Sequence, residues 1–341
     1  MAVLLVLAYA VGGVVRFNIQ HVERRLEQKR DRDPVIWTAA ATQIVLAMAY
    51  AVSVAYYLKL LAEFMLKAVP VSPSWHGGVS NIAVTVLIVS IAVVAYLGGP
   101  RRVGHVAEGS VSIKLGIIAG LLVGIAIWWG GHAGHGEPLP PVKLSLASIP
   151  MLLGLLITVQ GFETSRYLGE TFPRDVRIAT MRHAQWIASA VYLGFLALLT
   201  PFLASASHAQ GVAGIVDIMA LVAAPLTVFV LIGAVASQLS AAVADSIGSA
   251  GLLNEITRRK LSLTAAFGLT SALAIAVVWL TDPFQVVAVA SRAFALFYAM
   301  QCVLAVMVSR DAGAGHWRRA GFVLLGLICV AAALAGAPAE G

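Results

Sequence analysis

The sequence predicts an all-α protein, a polytopic transmembrane helix bundle with about ten spans. Of its 341 residues 60% are hydrophobic and only 11% are charged. A soluble domain carries roughly twice that charged fraction, because its surface must face water. No polar stretch is long enough to form a separate domain, so residues 1–341 are predicted to form a single transmembrane domain.

Ten apolar runs are long enough to cross ~30 Å of hydrocarbon as helices. They lie near 2–19, 35–68, 81–98, 112–130, 145–165, 183–204, 212–248, 261–280, 284–308 and 319–337. The first run lacks a basic leading region and a small-residue cleavage site, so we predict a retained span and not a signal peptide. Cys302 and Cys329 lie inside the last two runs, and we expect buried, unbridged side chains there.

Basic residues cluster in alternate connections between these runs. The clusters lie at 24–32, 101–102, 174–182, 258–260 and 310–319. The positive-inside rule places these connections in the cytoplasm and both termini outside, as in a multi-pass protein of the cell membrane. This placement also accounts for the net charge of +7 without nucleic acid as a partner. The bilayer itself is the first predicted partner.

The lengths of the runs repeat along the chain. Runs one to four and six to nine each read short, very long, short, short, with 35–68 and 212–248 as the long members. The fifth run separates the two sets, so equivalent helices point in opposite directions, as in the inverted repeats of secondary transporters. We predict an incomplete first repeat over 1–130, a second repeat over 145–309 and an extra helix at 319–337. The unpaired fifth run suggests the hypothesis that a first helix is missing.

The fifth run ends in a polar motif that we predict to form the substrate site: Gln160, Gly161, Phe162 and Glu163. A helix at membrane depth rarely carries such residues unless it lines a cavity. Gly161 lowers helix propensity, and a break there would expose backbone groups and helix dipoles to a ligand. The alternative is that the span ends at Val159, with Glu163 already in water at the interface.

This motif carries a resemblance to a known family. Gly161-Phe162-Glu163, followed by Glu170, by Pro173-Arg174 and by basic residues up to Arg182, is similar to the sixth helix of the amino acid–polyamine–organocation (APC) superfamily. The Lys114-Leu115 pair resembles the start of that family's fifth helix. The resemblance implies the five-plus-five inverted-repeat fold, substrate contact by backbone around Gln160–Glu163, and Phe162 as a gate.

Two further spans carry candidate ion-coupling residues. The resemblance makes Lys114 a coupling group, whereas its position at the start of a span also suits an anchor that snorkels to the interface. Ser237, Ser240 and Asp245 offer oxygen ligands for Na⁺, the one candidate cofactor. The alternative for the serines is a face of small residues that lets helices pack closely.

Other polar residues receive simpler interpretations. Lys59 and Glu63 have the i, i+4 spacing of a helical ion pair. Arg292 is isolated in the ninth span, and the sequence leaves open whether it snorkels or faces a pathway. A third set lies in a glycine-rich outer loop, where we expect a flexible loop and no metal site: His132, His135 and Glu137.

The sequence contains no phosphate-binding loop and no Ser-His-Asp set. An integral membrane enzyme is a second alternative, but the sparse intramembrane His and Asp residues disfavour it, so we predict that the protein is not an enzyme. The leading prediction is a secondary active transporter, a symporter or permease for amino acids or similar small organic solutes. An H⁺ or Na⁺ gradient would supply the energy. The alternative is a transport-inactive protein of the same fold, acting as a sensor or partner-binding scaffold. The sequence does not determine the oligomeric state.

Overall fold

A computed structural model describes most of the chain. It covers residues 2–27, 33–67, 69, 71–131, 149–155, 160–167, 172–202 and 214–337, and for 98–111 and 166–167 it describes the backbone alone. Throughout these residues the regular secondary structure is helical. This confirms the predicted all-α class.

The described chain forms ten α-helices and two short 3₁₀ segments. The helices are α1 (Ala2–Glu27), α2 (Pro34–Lys67), α3 (Pro73–Gly131), α4 (Ile149–Gly154), α5 (Arg174–Leu199), α6 (Ile215–Val222), α7 (Ala224–Ile256), α8 (Leu263–Leu280), α9 (Pro283–Ser309) and α10 (His316–Ala335). The 3₁₀ segments are Phe162–Tyr167 and Thr200–Phe202. Within the described residues, nine helical stretches are long and apolar enough to cross a membrane. The chain is a multi-pass membrane protein, as predicted.

The third and fourth predicted spans lie in one continuous helix. Both apolar stretches, Pro73–Leu97 and Ser112–Gly131, belong to α3, which runs for 59 residues. The sequence predicts a basic loop between them, but the backbone stays helical there. A proline inside a helix removes one N–H from the hydrogen-bond ladder and crowds the preceding turn, yet the helix continues through Pro100.

The second very long predicted span is divided. α6 ends at Val222, and Ala223 adopts an extended conformation with φ −166° and ψ 137° before α7 begins. Pro225 stands in the first turn of α7, where its missing N–H costs no helical hydrogen bond. The predicted run 212–248 is therefore two helices, of 8 and 33 residues.

The described chain divides into two compact units. Unit 1 comprises 1–49, 145–193 and 287–339. Its core includes Phe17, Cys302 and Phe322. Within this core Asn18 is fully buried and donates hydrogen bonds from Nδ2 to the Gln301 carbonyl oxygen (2.8 Å) and to Gln301 Oε1 (2.7 Å). Both cysteines are buried and unbridged, which confirms the prediction for them.

Unit 2 comprises 50–144, 194–286 and 340–341, and its core joins α2, α3, α7 and α8. Lys59 is buried there and donates a hydrogen bond to the Thr281 carbonyl, just beyond the end of α8. Glu63 instead accepts from Ser80 Oγ at 3.2 Å. The predicted Lys59–Glu63 ion pair is thus wrong for the described residues, because a carbonyl left unpaired by the helix end takes the lysine.

We expect Asn18→Ala to lower the free energy of unfolding by about 1–2 kcal/mol, because it removes two hydrogen bonds to buried oxygen atoms of Gln301. Denaturation of the purified protein in detergent would measure the change. The control is Thr180→Ala, at an exposed residue whose hydroxyl bonds only within its own helix; its effect should stay within about 0.5 kcal/mol. Equal losses in both variants would contradict the role given to Asn18.

Candidate functional site

The fifth predicted span is interrupted. Among the described residues of the predicted run 145–165, α-helix covers Ile149–Gly154, and Gln160 and Gly161 are not helical. Gly161 has φ +118°, a value that side-chain-bearing residues rarely adopt, although a Cβ there would meet nothing within 4 Å. The requirement for glycine is therefore conformational. A single continuous span over 145–165 is wrong, and the break lies where the Gly161 motif predicts it.

Glu163 holds this break in place. Its side chain is fully buried, and Oε2 accepts hydrogen bonds from the Gly161 N–H (3.0 Å) and from the Tyr298 hydroxyl (3.0 Å). Thr164 donates from its hydroxyl to the Gly161 carbonyl at 2.8 Å. Side chains thus pair both backbone groups of Gly161 in place of a helical ladder. The full burial of Glu163 contradicts the alternative that it lies in water at the interface.

Phe162 packs against the same tyrosine. The two rings stack with centroids 5.7 Å apart and an interplanar angle of 11°. Phe294 and Phe297 surround Tyr298 from its own helix, α9. Sequence reasoning missed Tyr298, and the signal for it was an aromatic cluster on a span that also carries Gln301. Tyr298 therefore contacts both Phe162 and Glu163, two of the four predicted site residues.

A cavity of about 250 Å³ opens beside the interrupted segment within unit 1. Its walls come from α1, the segment around Gly161, and α5. The lining residues are Leu5, Ala8, Tyr9, Gln160, Gly161, Phe162, Thr164, Ser165, Ala184, Gln185, Ala188, Ser189 and Tyr192. The structure thus brings Gln160, Gly161 and Phe162 to one cavity, whereas Glu163 lies behind its wall.

A polar network joins two walls of this cavity. Gln185 of α5 donates from Nε2 to the Ala8 carbonyl at 2.7 Å and accepts from Arg16. The Arg16 guanidinium lies over the Tyr9 ring, 5.0 Å from its centroid. A Cβ at Gly12 would overlap the Gln185 amide, so glycine leaves room for this amide against α1. No local sequence pattern indicates Gln185, because its partners lie on another helix.

The predicted ion-coupling residues all lie in unit 2. Ser240 and Asp245 are buried, whereas Lys114 and Ser237 are partly exposed. A Cβ on Gly233 would approach Ile117, and one on Gly124 would approach Leu226.

These two approaches define an antiparallel register between the second half of α3 and α7. Each pair of numbers sums to 350, from 117 with 233 and from 124 with 226. Continuing that register sets Lys114 level with Ala236 and within one residue of Ser237. The structure thus places Lys114 and Ser237 at the same height of two packed helices.

The remaining predicted residues have simpler positions. Arg292 donates from Nε to the Gly336 carbonyl at 2.7 Å, just after α10, so it caps a helix end. Arg177 binds Glu23 through two nitrogens, at 2.9 and 2.7 Å, which ties the end of α1 to the start of α5. Glu170 and the histidine-containing loop, His132, His135 and Glu137, lie outside the described residues.

An all-helical bundle with an interrupted span beside a small cavity defines a polytopic membrane protein of the transporter class. A family model described as "APC superfamily transporter" matches residues 1–336, and the chain belongs to this family. An uncharacterized protein of Aquifex aeolicus (strain VF5) is 31% identical over 314 residues, 91% of this chain and 76% of the relative. The resemblance inferred from the sequence is confirmed, and the family is one of transporters and not of enzymes.

We expect Gly161→Ala to cost about 1–3 kcal/mol of stability, because alanine is strained at a φ of +118°. Denaturation in detergent, compared with the unaltered chain, gives the value. Gly321→Ala is the matched control, since this helical glycine also has open space around a new Cβ. The control should be neutral or stabilising by up to about 1 kcal/mol. A neutral Gly161→Ala variant would contradict the observed backbone.

Proposed function

We propose that the chain is a secondary active transporter of amino acids or similar small organic solutes, acting in the cytoplasmic membrane. The observation that carries this proposal is the break at Gly161 beside a cavity of about 250 Å³. A broken span supplies polar backbone at a depth where lipid offers none. That volume lies just below the roughly 300 Å³ at which pockets for drug-sized ligands begin. It suits a small solute.

The chemistry of the cavity wall suits a molecule with polar and apolar parts. The Ser165 hydroxyl and the spare lone pairs of the Gly161 carbonyl and the Thr164 hydroxyl provide polar groups on one side. Tyr9 and Tyr192 provide aromatic surface on the other. An amino acid combines charged backbone groups with a side chain, and it would use both kinds of surface. The proposed substrate-binding residues are Gln160, Gly161 and Phe162, with Glu163 positioning them.

Phe162 is suited to gate this cavity. Its ring lines the cavity on one side and stacks on Tyr298 on the other. The hydroxyl of the same tyrosine binds Glu163, which in turn holds Gly161. A shift of Phe162 is thereby linked to the backbone that would contact the solute. Movement of this short segment would open or close the site.

Lys114 and Ser237 are suited to ion coupling because they lie at the same height on adjacent helices. The antiparallel register of α3 and α7 supports this placement. A protonated lysine at the height of Ser237 would repel Na⁺, which favours H⁺ as the coupling ion. Asp245 is buried two turns further along α7 and would add a negative charge on that helix.

Uptake by reconstituted protein tests the proposal. Radiolabelled amino acids would be offered to proteoliposomes under an imposed pH or Na⁺ gradient, with and without ionophores that collapse it. We expect uptake above that of empty liposomes and its loss when the gradient collapses. Binding of amino acids without any uptake would instead support the transport-inactive alternative.

We expect Tyr298→Phe to lower uptake about tenfold or more, because it removes the hydroxyl donor to Glu163 and keeps the aromatic ring. The initial rate of uptake is the measurement. Tyr96→Phe removes the same hydroxyl from a side chain that is 72% exposed, and it should transport normally. If both variants transport equally well, the Glu163–Tyr298 bond has no part in the function.

We expect Lys114→Ala to transport without responding to a pH gradient, since the group proposed to carry the proton is gone. Uptake with and without the gradient measures this response. Lys67→Ala is the control, because Lys67 pairs with Asp217 at the helix end, 2.8 Å away, and it should leave the response intact. A full response in Lys114→Ala would assign that lysine the role of an interfacial anchor.

A further inference from the structure

One face of α10 has the character of a lipid-facing surface. Trp317 is 93% exposed, and Leu324, Leu327 and Leu334 follow it at 60%, 62% and 77% exposure. Their spacing of seven, three and seven residues keeps them on one side of the helix. Phe322 and other residues of the opposite side are buried. An apolar stripe thus descends from Trp317 along the whole helix.

The cytoplasmic end of this stripe carries arginines held by aromatic contacts. The Arg318 guanidinium lies 4.7 Å from the ring centroid of Phe17 and 5.8 Å from that of Phe322. Arg319 follows directly, and its Nε is buried without a hydrogen-bond partner among the described residues. Buried donors of a charged group are normally paired. This end of α10 thus places two guanidinium groups beside the apolar stripe.

Four acidic residues at this end of unit 1 are already engaged by other arginines. Glu23 and Glu27 bind Arg174, and Asp33 and Asp311 bind Arg25. In the part of the chain that the structure describes, no acidic side chain pairs with Arg310, Arg318 or Arg319. The patch therefore carries uncompensated positive charge next to exposed apolar surface.

We propose that Arg318 and Arg319 bind the phosphate of an anionic phospholipid in the cytoplasmic leaflet, with one acyl chain along the stripe of α10. Guanidinium groups bind phosphate oxygens through several N–H donors, and the exposed Arg318 and partly exposed Arg319 present such groups at the surface. Trp317 stands at the boundary between head group and hydrocarbon, where tryptophan is enriched. This site is independent of solute transport and lies apart from the cavity residues.

A lipid explains the surface better than free phosphate does. A free anion would use the arginines alone and leave the stripe below them unused. A phospholipid places its charge at the arginines and its chain on Trp317, Leu324 and Leu327 at the same time. Each juxtamembrane cation is worth about a fivefold gain in attraction to an anionic membrane surface. Two adjacent arginines thus predict a preference of about tenfold or more.

Lipid binding to the purified full chain tests the proposal. Native mass spectrometry would count retained phosphatidylglycerol and phosphatidylcholine, offered together at equal concentration. We expect a preference for phosphatidylglycerol of about tenfold or more in the unaltered chain. In R318Q/R319Q the preference should fall to near unity, whereas R258Q/R259Q removes two other cytoplasmic arginines and should keep it.

Two further arms keep the test decisive. R318K retains the charge and should retain most of the preference, even if R318Q/R319Q folds poorly. Phosphatidylglycerol should raise the melting temperature more than phosphatidylcholine or inorganic phosphate does. Equal loss of preference in both double variants would overturn the site, because it would show only general attraction to basic residues. Inorganic phosphate that protects as well as phosphatidylglycerol would show a free-anion site and overturn the lipid assignment.

Discussion

The hydrogen bond between the Glu163 carboxylate and the Gly161 N–H is the interaction on which the rest of the site depends. A helix broken within a membrane leaves backbone groups that lipid cannot satisfy. Glu163 pairs the exposed N–H, and Thr164 pairs the carbonyl of the same residue. A buried carboxylate is itself costly unless it is hydrogen-bonded, and the Tyr298 hydroxyl provides a second donor. Three side chains thus allow Gly161 to face the cavity.

The cavity lies between a segment of low local stability, around Gly161, and two long, stable helices, α1 and α5. α4 has only six residues, and the following 3₁₀ segment has poorer hydrogen-bond geometry than an α-helix. Such elements tend to open at low free-energy cost. By contrast, α1 and α5 are long helices that Gln185 joins through the Ala8 carbonyl. In a transporter this contrast would confine movement to the segment that contacts the solute.

The sequence predicts the features that depend on composition and local chemistry, namely the helices and the break at Gly161. Apolar runs predict the helices, because a spanning segment must be both long and apolar, and glycine among polar residues predicts the break at Gly161. The roles of Tyr298 and Gln185 could not be predicted, because their hydrogen-bond partners lie 135 and 177 residues away in the sequence. The continuity of α3 through Pro100 and the division of the long run at Ala223 could not be predicted either. The identity of a single proline or alanine does not determine whether a helix continues at that residue. Lys59 binds the carbonyl of Thr281 at a helix end and not Glu63, the acid nearer in sequence. Local spacing cannot predict this, because the contact depends on the tertiary packing of two helices.

Solvent access to the interrupted segment tests the central claim most directly. In a chain without native cysteines, Ser165→Cys would line the cavity, whereas Val330→Cys would replace an exposed residue within the apolar length of α10. A hydrophilic sulfonate thiol reagent should modify Ser165→Cys in intact membranes. The same reagent should leave Val330→Cys unmodified. An unreactive Ser165→Cys, with the protein shown to be folded, would mean that this stretch does not face water and would contradict the account.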